Sequence, residues 1–301
     1  MNATSTGKTV RPNFLVVGAA KAGTTSLHDF LGQHPQIFMS ANKEPHYFVR
    51  GYGMNDWDQY LGLFQAATTQ KAIGESSTLY LCCEESAEWI KSALGEVKII
   101  IILRDPARRA FSLYGWMLRE GHEDAATLAE ALRREPARLA DPEFHRHAPQ
   151  FYVDYLYFTT GLYAAQVSRF LETFCRDRVK VFLFEDFTRR PLEICREIFQ
   201  FLGVDDKFTP TLSVQNEGRL PRSIWLQHAL RSRRSPFVPR SWRRRLMRLN
   251  LHWGKKPELD PSAYAALQDR YRDDVRQLES LLNLDLSRWR EPARVSAAKT
   301  A

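Results

Sequence analysis

Five consecutive apolar residues, Ile99 to Leu103, stop abruptly at Arg104. A strand that is apolar at every position has no face it can leave in water, so this run must lie inside a sheet covered on both sides, which is the habit of parallel strands. Shorter runs of the same character occur at 14–17 (FLVV), 36–40 (QIFMS), 71–77 (KAIGESS) and 179–187 (VKVFLFEDF). Helical periodicity falls between and after them, over 25–32, 85–95, 106–120, 125–135, 161–175 and 189–202. Strand and helix alternate, which predicts an α/β fold: a P-loop-like doubly wound sheet, mainly parallel, with helices on both faces. Nearer the C-terminus, Pro261 and Ser262 open a pattern of Tyr264, Leu267, Tyr271, Val275, Leu278 and Leu282, the apolar stripe of one long helix.

Ligands of such sheets bind beyond the carboxyl ends of the strands, where the sequence places its most unusual loop. VVGAAKAGTTSL keeps the two glycines of a phosphate-binding G-x-x-x-x-G-K-[ST] motif, Gly18 and Gly23, but has Thr24 where that motif has lysine. The only lysine, Lys21, sits inside the turn. Glycines at a strand end followed by a helix N-terminus still suit an anion, and Thr24, Thr25 and Ser26 add hydroxyl donors. A magnesium-nucleotide site would also need a carboxylate at a neighbouring strand end. The long strand ends on Arg104 instead, a second anion contact, so a metal-bound triphosphate is disfavoured against a ligand carrying two separated phosphate groups, with no metal required.

Charge is uneven. The chain has 43 Lys and Arg against 35 Asp and Glu, a net +8, yet Arg219 to Arg248 contains ten arginines and no acidic residue or lysine. Such a segment could meet nucleic acid, anionic lipid or an acidic substrate. Phe237 and Trp242 lie among the arginines, but nothing else in the chain resembles a nucleic-acid module, and no nucleic-acid partner is expected. The N-terminus is polar, and no apolar run reaches the roughly 18 residues of a membrane span. Four cysteines do not make a disulfide framework, and Cys82 and Cys83 are neighbours poorly placed to pair. These features lead us to expect a cytoplasmic protein: one domain over 13–290, tails at 1–12 and 291–301, and a basic segment at 219–260.

Two motifs in order, VVGAAKAGTTSL and ILRDPARRAFSLY, resemble the 5′-phosphosulfate loop and the 3′-phosphate motif of sulfotransferases that use 3′-phosphoadenosine 5′-phosphosulfate (PAPS). KEPHYF, residues 43–48, is similar to the K-E-x-H-F-F element of the carbohydrate branch, represented by heparan sulfate sulfotransferase domains. The resemblance runs from about Asn13 to Trp289. It implies that Lys21, Ala22, Gly23, Thr24, Thr25 and Ser26 hold the 5′-phosphosulfate, that Arg104 and Ser112 hold the 3′-phosphate, and that PAP is the product. Arg108 and Arg109 read as solvated charges. Glu44 is implied as the base for an acceptor hydroxyl, less readily an amine, with Lys21 stabilising the leaving group. Near several anionic groups the Glu44 pKa is expected to rise. In an extended segment His46, two residues on, would face the same way as Glu44, as an alternative base or a sulfuryl contact.

The acceptor implied is a carbohydrate or a lipid-linked one. The family pattern is not complete: Ser76 stands where the carbohydrate branch carries a lysine, in GESSTLY. WGKKPELD is one residue shorter than the family's cofactor-closing loop, with Lys255 and Lys256 as its clamps. The arginine segment, with Leu226, Leu230, Trp242, Leu246 and Leu249, offers either a lid or a surface for peripheral membrane contact.

Overall fold

The computed structural model describes residues 10–212, 220–231, 239–251 and 260–290. In chain order the elements are β1 (Phe14–Gly18), α1 (Thr24–Gly32), β2 (Ile37–Met39), α2 (Trp57–Gly62), β3 (Ala72–Ser76), α3 (Ser86–Leu94), β4 (Lys98–Leu103), α4 (Pro106–Arg119), α5 (Leu128–Ala140), α6 (Pro142–His147), α7 (Tyr163–Thr173), β5 (Val179–Leu183), α8 (Phe184–Arg189), α9 (Pro191–Leu202), α10 (Ile224–Arg231), α11 (Arg240–Leu249) and α12 (Pro261–Leu282). They form two compact units. One comprises Met1–Arg104 and Gln166–Gln215, the other Asp105–Ala165 and Asn216–Ala301.

The first unit carries a five-stranded sheet in the order β2-β3-β1-β4-β5, with every pairing parallel. All five residues of β1 are buried, as are Ile99 to Leu103 of β4, as their unbroken apolar character requires. Each of the Phe, Leu, Val and Ile side chains among them contributes about 1.5–3 kcal/mol by leaving water. Because β1 lies between β3 and β4, the chain departs from β1 toward one edge and from β4 toward the other. The loops after these strands therefore diverge and open a crevice at their carboxyl ends. The run at 179–187 is a strand only to Leu183. Residues 184–189 form α8, because short apolar runs do not by themselves distinguish a strand from a buried helix face.

The second unit is built on α4 and α12. Asp105 caps α4, accepting from the Ala107 and Arg108 amides, with Pro106 in the first turn. It also accepts from the Tyr264 hydroxyl of α12. Tyr264, Leu267, Tyr271, Val275 and Leu278 form the buried face of α12, as the sequence period predicts. The Tyr271 hydroxyl donates to the Phe158 carbonyl at 2.9 Å, and a Cβ on Gly161 would lie 2.6 Å from its oxygen. The helix expected at 125–135 runs instead from Leu128 to Ala140, because Thr127 accepts from the Glu130 amide and sets its start. Arg109, read above as a solvated charge, is buried and donates to the Tyr157 carbonyl at 2.5 Å. Its partner is remote in sequence, so its role is one of packing. Arg108 is half-exposed over the Tyr264 ring. Among the described residues no helix is long and apolar enough to cross a membrane.

Candidate active site

At the end of β1 the pairing with β4 shifts register between Val16 and Gly18, and the Ala19 amide donates to the Ile102 carbonyl at 2.7 Å. The chain then turns through left-handed conformations at Lys21 (φ 68°) and Gly23 (φ 89°) into α1. Glycine is needed at 23: its φ is left-handed, and a Cβ would sit 2.9 Å from the Phe184 ring. Gly23 is also the N-cap of α1, and no side chain among the described residues caps that terminus. The first-turn amides and the positive end of the helix dipole thus follow directly on the loop, which carries Lys21 two residues before the N-cap, residue types that fit a phosphate or sulfate group. Ala22 is buried and offers only its backbone; Thr24 is buried, and Thr25 and Ser26 are half-buried. Arg104, at the end of β4, donates from Nη1 to the Lys21 carbonyl at 2.9 Å, and its guanidinium lies 4.7 Å from the centre of the Phe184 ring. It braces the loop, a contact the motif alone does not disclose.

The second part of the site hangs from the end of β3, the strand beside β1. The Glu44 amide donates to the Ser76 carbonyl at 2.9 Å, and the His46 amide to Ser77 Oγ at 3.1 Å. The expectation that 43–48 is extended does not hold. Glu44 (φ 61°) and His46 (φ 52°) are both left-handed. Gly53 explains how the turn closes: at φ 79°, it lies where a Cβ would meet His46 Cβ and the Pro45 oxygen at 2.6 Å. The two side chains nevertheless meet, with His46 Nε2 3.3 Å from Glu44 Oε2. His46 is buried and its Nδ1 has no hydrogen-bond partner among the described residues, so the Nε2–H tautomer facing Glu44 is favoured. Lys43 Nζ donates to Glu44 Oε1 at 2.5 Å.

The direction expected for the Glu44 pKa is also overturned. Burial pushes it up, but the hydrogen bond from His46 and the charge and hydrogen bond of Lys43 outweigh burial and hold it at about 2. The carboxyl displaced upward is Glu75, which the motifs did not single out. Its side chain is fully buried at the end of β3, and burial raises it to about 7 against the opposing hydrogen bonds of Ser77 and Tyr80. The signal for it was in KAIGESS: an acid in a strand otherwise covered on both faces. Ser76 Oγ lies 3.0 Å from Nδ1 of His28, a buried histidine whose pKa is lowered by burial and by Lys43.

Ser112 is half-buried on α4 in the second unit. Lys255 and Lys256 lie outside the described residues. Among the described residues, no group of three or more His, Cys, Asp or Glu side chains is placed to hold a metal ion. The first unit thus offers an anion cradle after β1, braced from β4, and an ionised carboxylate with a histidine partner beyond β3. Together these parts can hold an anionic donor and take a proton from an incoming nucleophile.

A family profile described as "Sulfotransferase domain" matches residues 11–279. A solved sulfotransferase from Alicyclobacillus acidocaldarius is 32% identical, with a TM-score of 0.74 over 94% of this chain and all of that one. The human bifunctional heparan sulfate N-deacetylase/N-sulfotransferase 3 is 27% identical over 90% of this chain, and the Dictyostelium discoideum membrane-associated sulfotransferase kil1 is 25% identical over 68%. The chain spans 30% of the length of the human protein and 60% of the Dictyostelium one.

Proposed function

The chain belongs to the sulfotransferase domain family and is a sulfotransferase, and we propose that it carries a sulfuryl group from PAPS to a hydroxyl, less readily an amine, of a carbohydrate or glycolipid. The observation that supports this reading most is the pairing of a helix N-terminus that follows the loop carrying Lys21 with the Glu44–His46 couple, at the carboxyl ends of neighbouring strands. A carbohydrate acceptor is favoured by the heparan sulfate relatives.

Bound at the loop after β1, the donor would supply an electrophilic sulfur, its bond to the bridging phosphate oxygen breaking as the acceptor oxygen bonds to sulfur, with PAP as the leaving group. Lys21 and the first-turn amides of α1 would hold its 5′ end and oppose the charge that builds on the leaving oxygen. Arg104 would serve the 3′-phosphate while keeping the loop in shape. Glu44 takes the proton of the acceptor hydroxyl. A carboxyl at about 2 is ionised at every physiological pH but is a weak base, and the His46 hydrogen bond steadies the form that accepts.

Radiolabelled PAPS offered with glycan, glycolipid and small-alcohol acceptors should label a carbohydrate, and PAP should raise the Tm of the protein but not of Lys21→Ala. Absence of the PAP shift in the wild type would overturn the donor assignment, and label confined to non-sugar acceptors would overturn the acceptor class. Contact with a lipid surface, where a glycolipid would sit, is favoured by α11. Trp242, Leu246 and Leu249 are exposed at three- and four-residue steps, beside exposed Arg244, Arg245 and Arg248. The Dictyostelium relative is named as membrane-associated. Replacing Arg243, Arg244 and Arg245 with serine should release the protein from anionic vesicles, each arginine contributing about 1 kcal/mol; unchanged sedimentation would remove the contact.

A further inference from the structure

Between Glu75 and the Glu44–His46 couple stands the Ser77 hydroxyl. Ser77 Oγ donates to Glu75 Oε2 at 2.8 Å and accepts the His46 amide at 3.1 Å, all within the buried end of β3. A serine hydroxyl has one proton. Because Glu75 takes it, the lone pairs of Ser77 are left to face His46, whose backbone is held in a left-handed conformation that costs free energy. The flanking residues are anchored by the Glu44 amide on the Ser76 carbonyl and the Met54 amide on the Pro45 carbonyl, and further along by the Ser86 hydroxyl on the Phe48 carbonyl. The Ser77 hydroxyl is the side-chain anchor at His46, and Glu75 sets its orientation.

We infer that Glu75 is a positioning residue for sulfuryl transfer, acting through the Ser77 hydroxyl to hold His46 against Glu44; this rests on the function proposed above. Glu75 does not touch the reacting atoms. Its neighbours are Ser77, Tyr60 and Tyr80, with the charges of Glu44 and Lys43 also acting on it. Glu44 in turn is faced by His46 and Lys43. Loss of the Ser77 anchor would free His46 and allow the Glu44 pKa to drift toward its ordinary value.

The test combines Glu75→Ala, Glu75→Gln, Ser77→Ala and the Glu75→Ala/Ser77→Ala double variant, each first checked for a folded spectrum and for PAP binding. In Glu75→Ala and Ser77→Ala the His46 amide should exchange with deuterium about tenfold faster, the size expected for losing one hydrogen bond. The acid limb of kcat should move to higher pH in both, with KM for PAPS unchanged. The double variant should be no worse than either single one, because both cut the same chain of contacts. Glu75→Gln, whose amide oxygen can still accept from Ser77, should restore most of what Glu75→Ala loses. A folded Glu75→Ala with unaltered His46 exchange and an unaltered acid limb would overturn the assignment, as would additive effects in the double variant. If the wild type transfers no sulfuryl group, the proposed function fails, and the exchange rates alone still decide whether Glu75 holds His46.

Discussion

Two carboxyls, Glu44 in the loop over 43–54 and Glu75 in β3, lie at the carboxyl end of the same strand and are displaced in opposite directions. Burial raises both. Glu44 is nevertheless held at about 2, because His46 and Lys43 bond to it directly, whereas Glu75 has hydroxyl neighbours and rises to about 7. The kind of partner, a lysine charge and an imidazole against neutral hydroxyls, and not depth alone, decides which acid is ionised and therefore which can act as a base at neutral pH.

The largest effect expected is on transfer itself. Glu44→Gln should lower kcat by about 10²–10⁴-fold, the usual worth of a general base, while PAP still raises the Tm. Glu75→Gln should cost far less; equal losses in a steady-state assay would erase the distinction between the two carboxyls. Next comes His46→Ala, which removes the largest contact holding Glu44 down. The acid limb of its kcat profile should shift upward, toward the ordinary carboxylate value of 4.5, and an unmoved limb would mean that His46 does not tune Glu44.

Stability gives the third comparison. Glu75 binds its proton more tightly folded than unfolded, so its contribution is complete below its ordinary pKa of 4.5 and is lost as pH rises toward 7. The loss is on the order of 3 kcal/mol, and urea titrations of Glu75→Gln should lack it. Glu44 runs the other way: its contribution is present above 4.5 and lost as pH falls toward 2. The smallest effect belongs to Lys43→Ala. It removes a half-exposed partner of Glu44, whose worth is about 0.2–1 kcal/mol, and should move the acid limb upward by less than His46→Ala does. A larger shift than that of His46→Ala would reverse the ranking of the two partners.

The sheet was legible because Phe14 to Val17 and Ile99 to Leu103 have no polar face to present. Lys21, Glu44 and Arg104 were legible because short motifs keep chemistry next to a strand end. The turn that joins Glu44 to His46 was not, since it depends on Gly53 closing on His46 from outside the motif. Glu75 lay hidden for a related reason: a lone acid in an apolar run gains meaning only when Ser77 and its tyrosine neighbours surround it. Arg109 misled because its carbonyl partner, on Tyr157, is remote in sequence.

Phe184 has a further consequence. Its ring lies beneath the Arg104 guanidinium and also fills the space a side chain at Gly23 would need. Three positions far apart in the chain therefore share one volume and behave as a single unit under substitution. A larger residue at 23 would meet both the left-handed backbone and the Phe184 ring; a smaller residue at 184 would relieve only the second and would deprive Arg104 of its platform. In a library randomised at all three positions, active variants should accordingly retain glycine at 23, with an aromatic ring at 184 wherever Arg104 is kept.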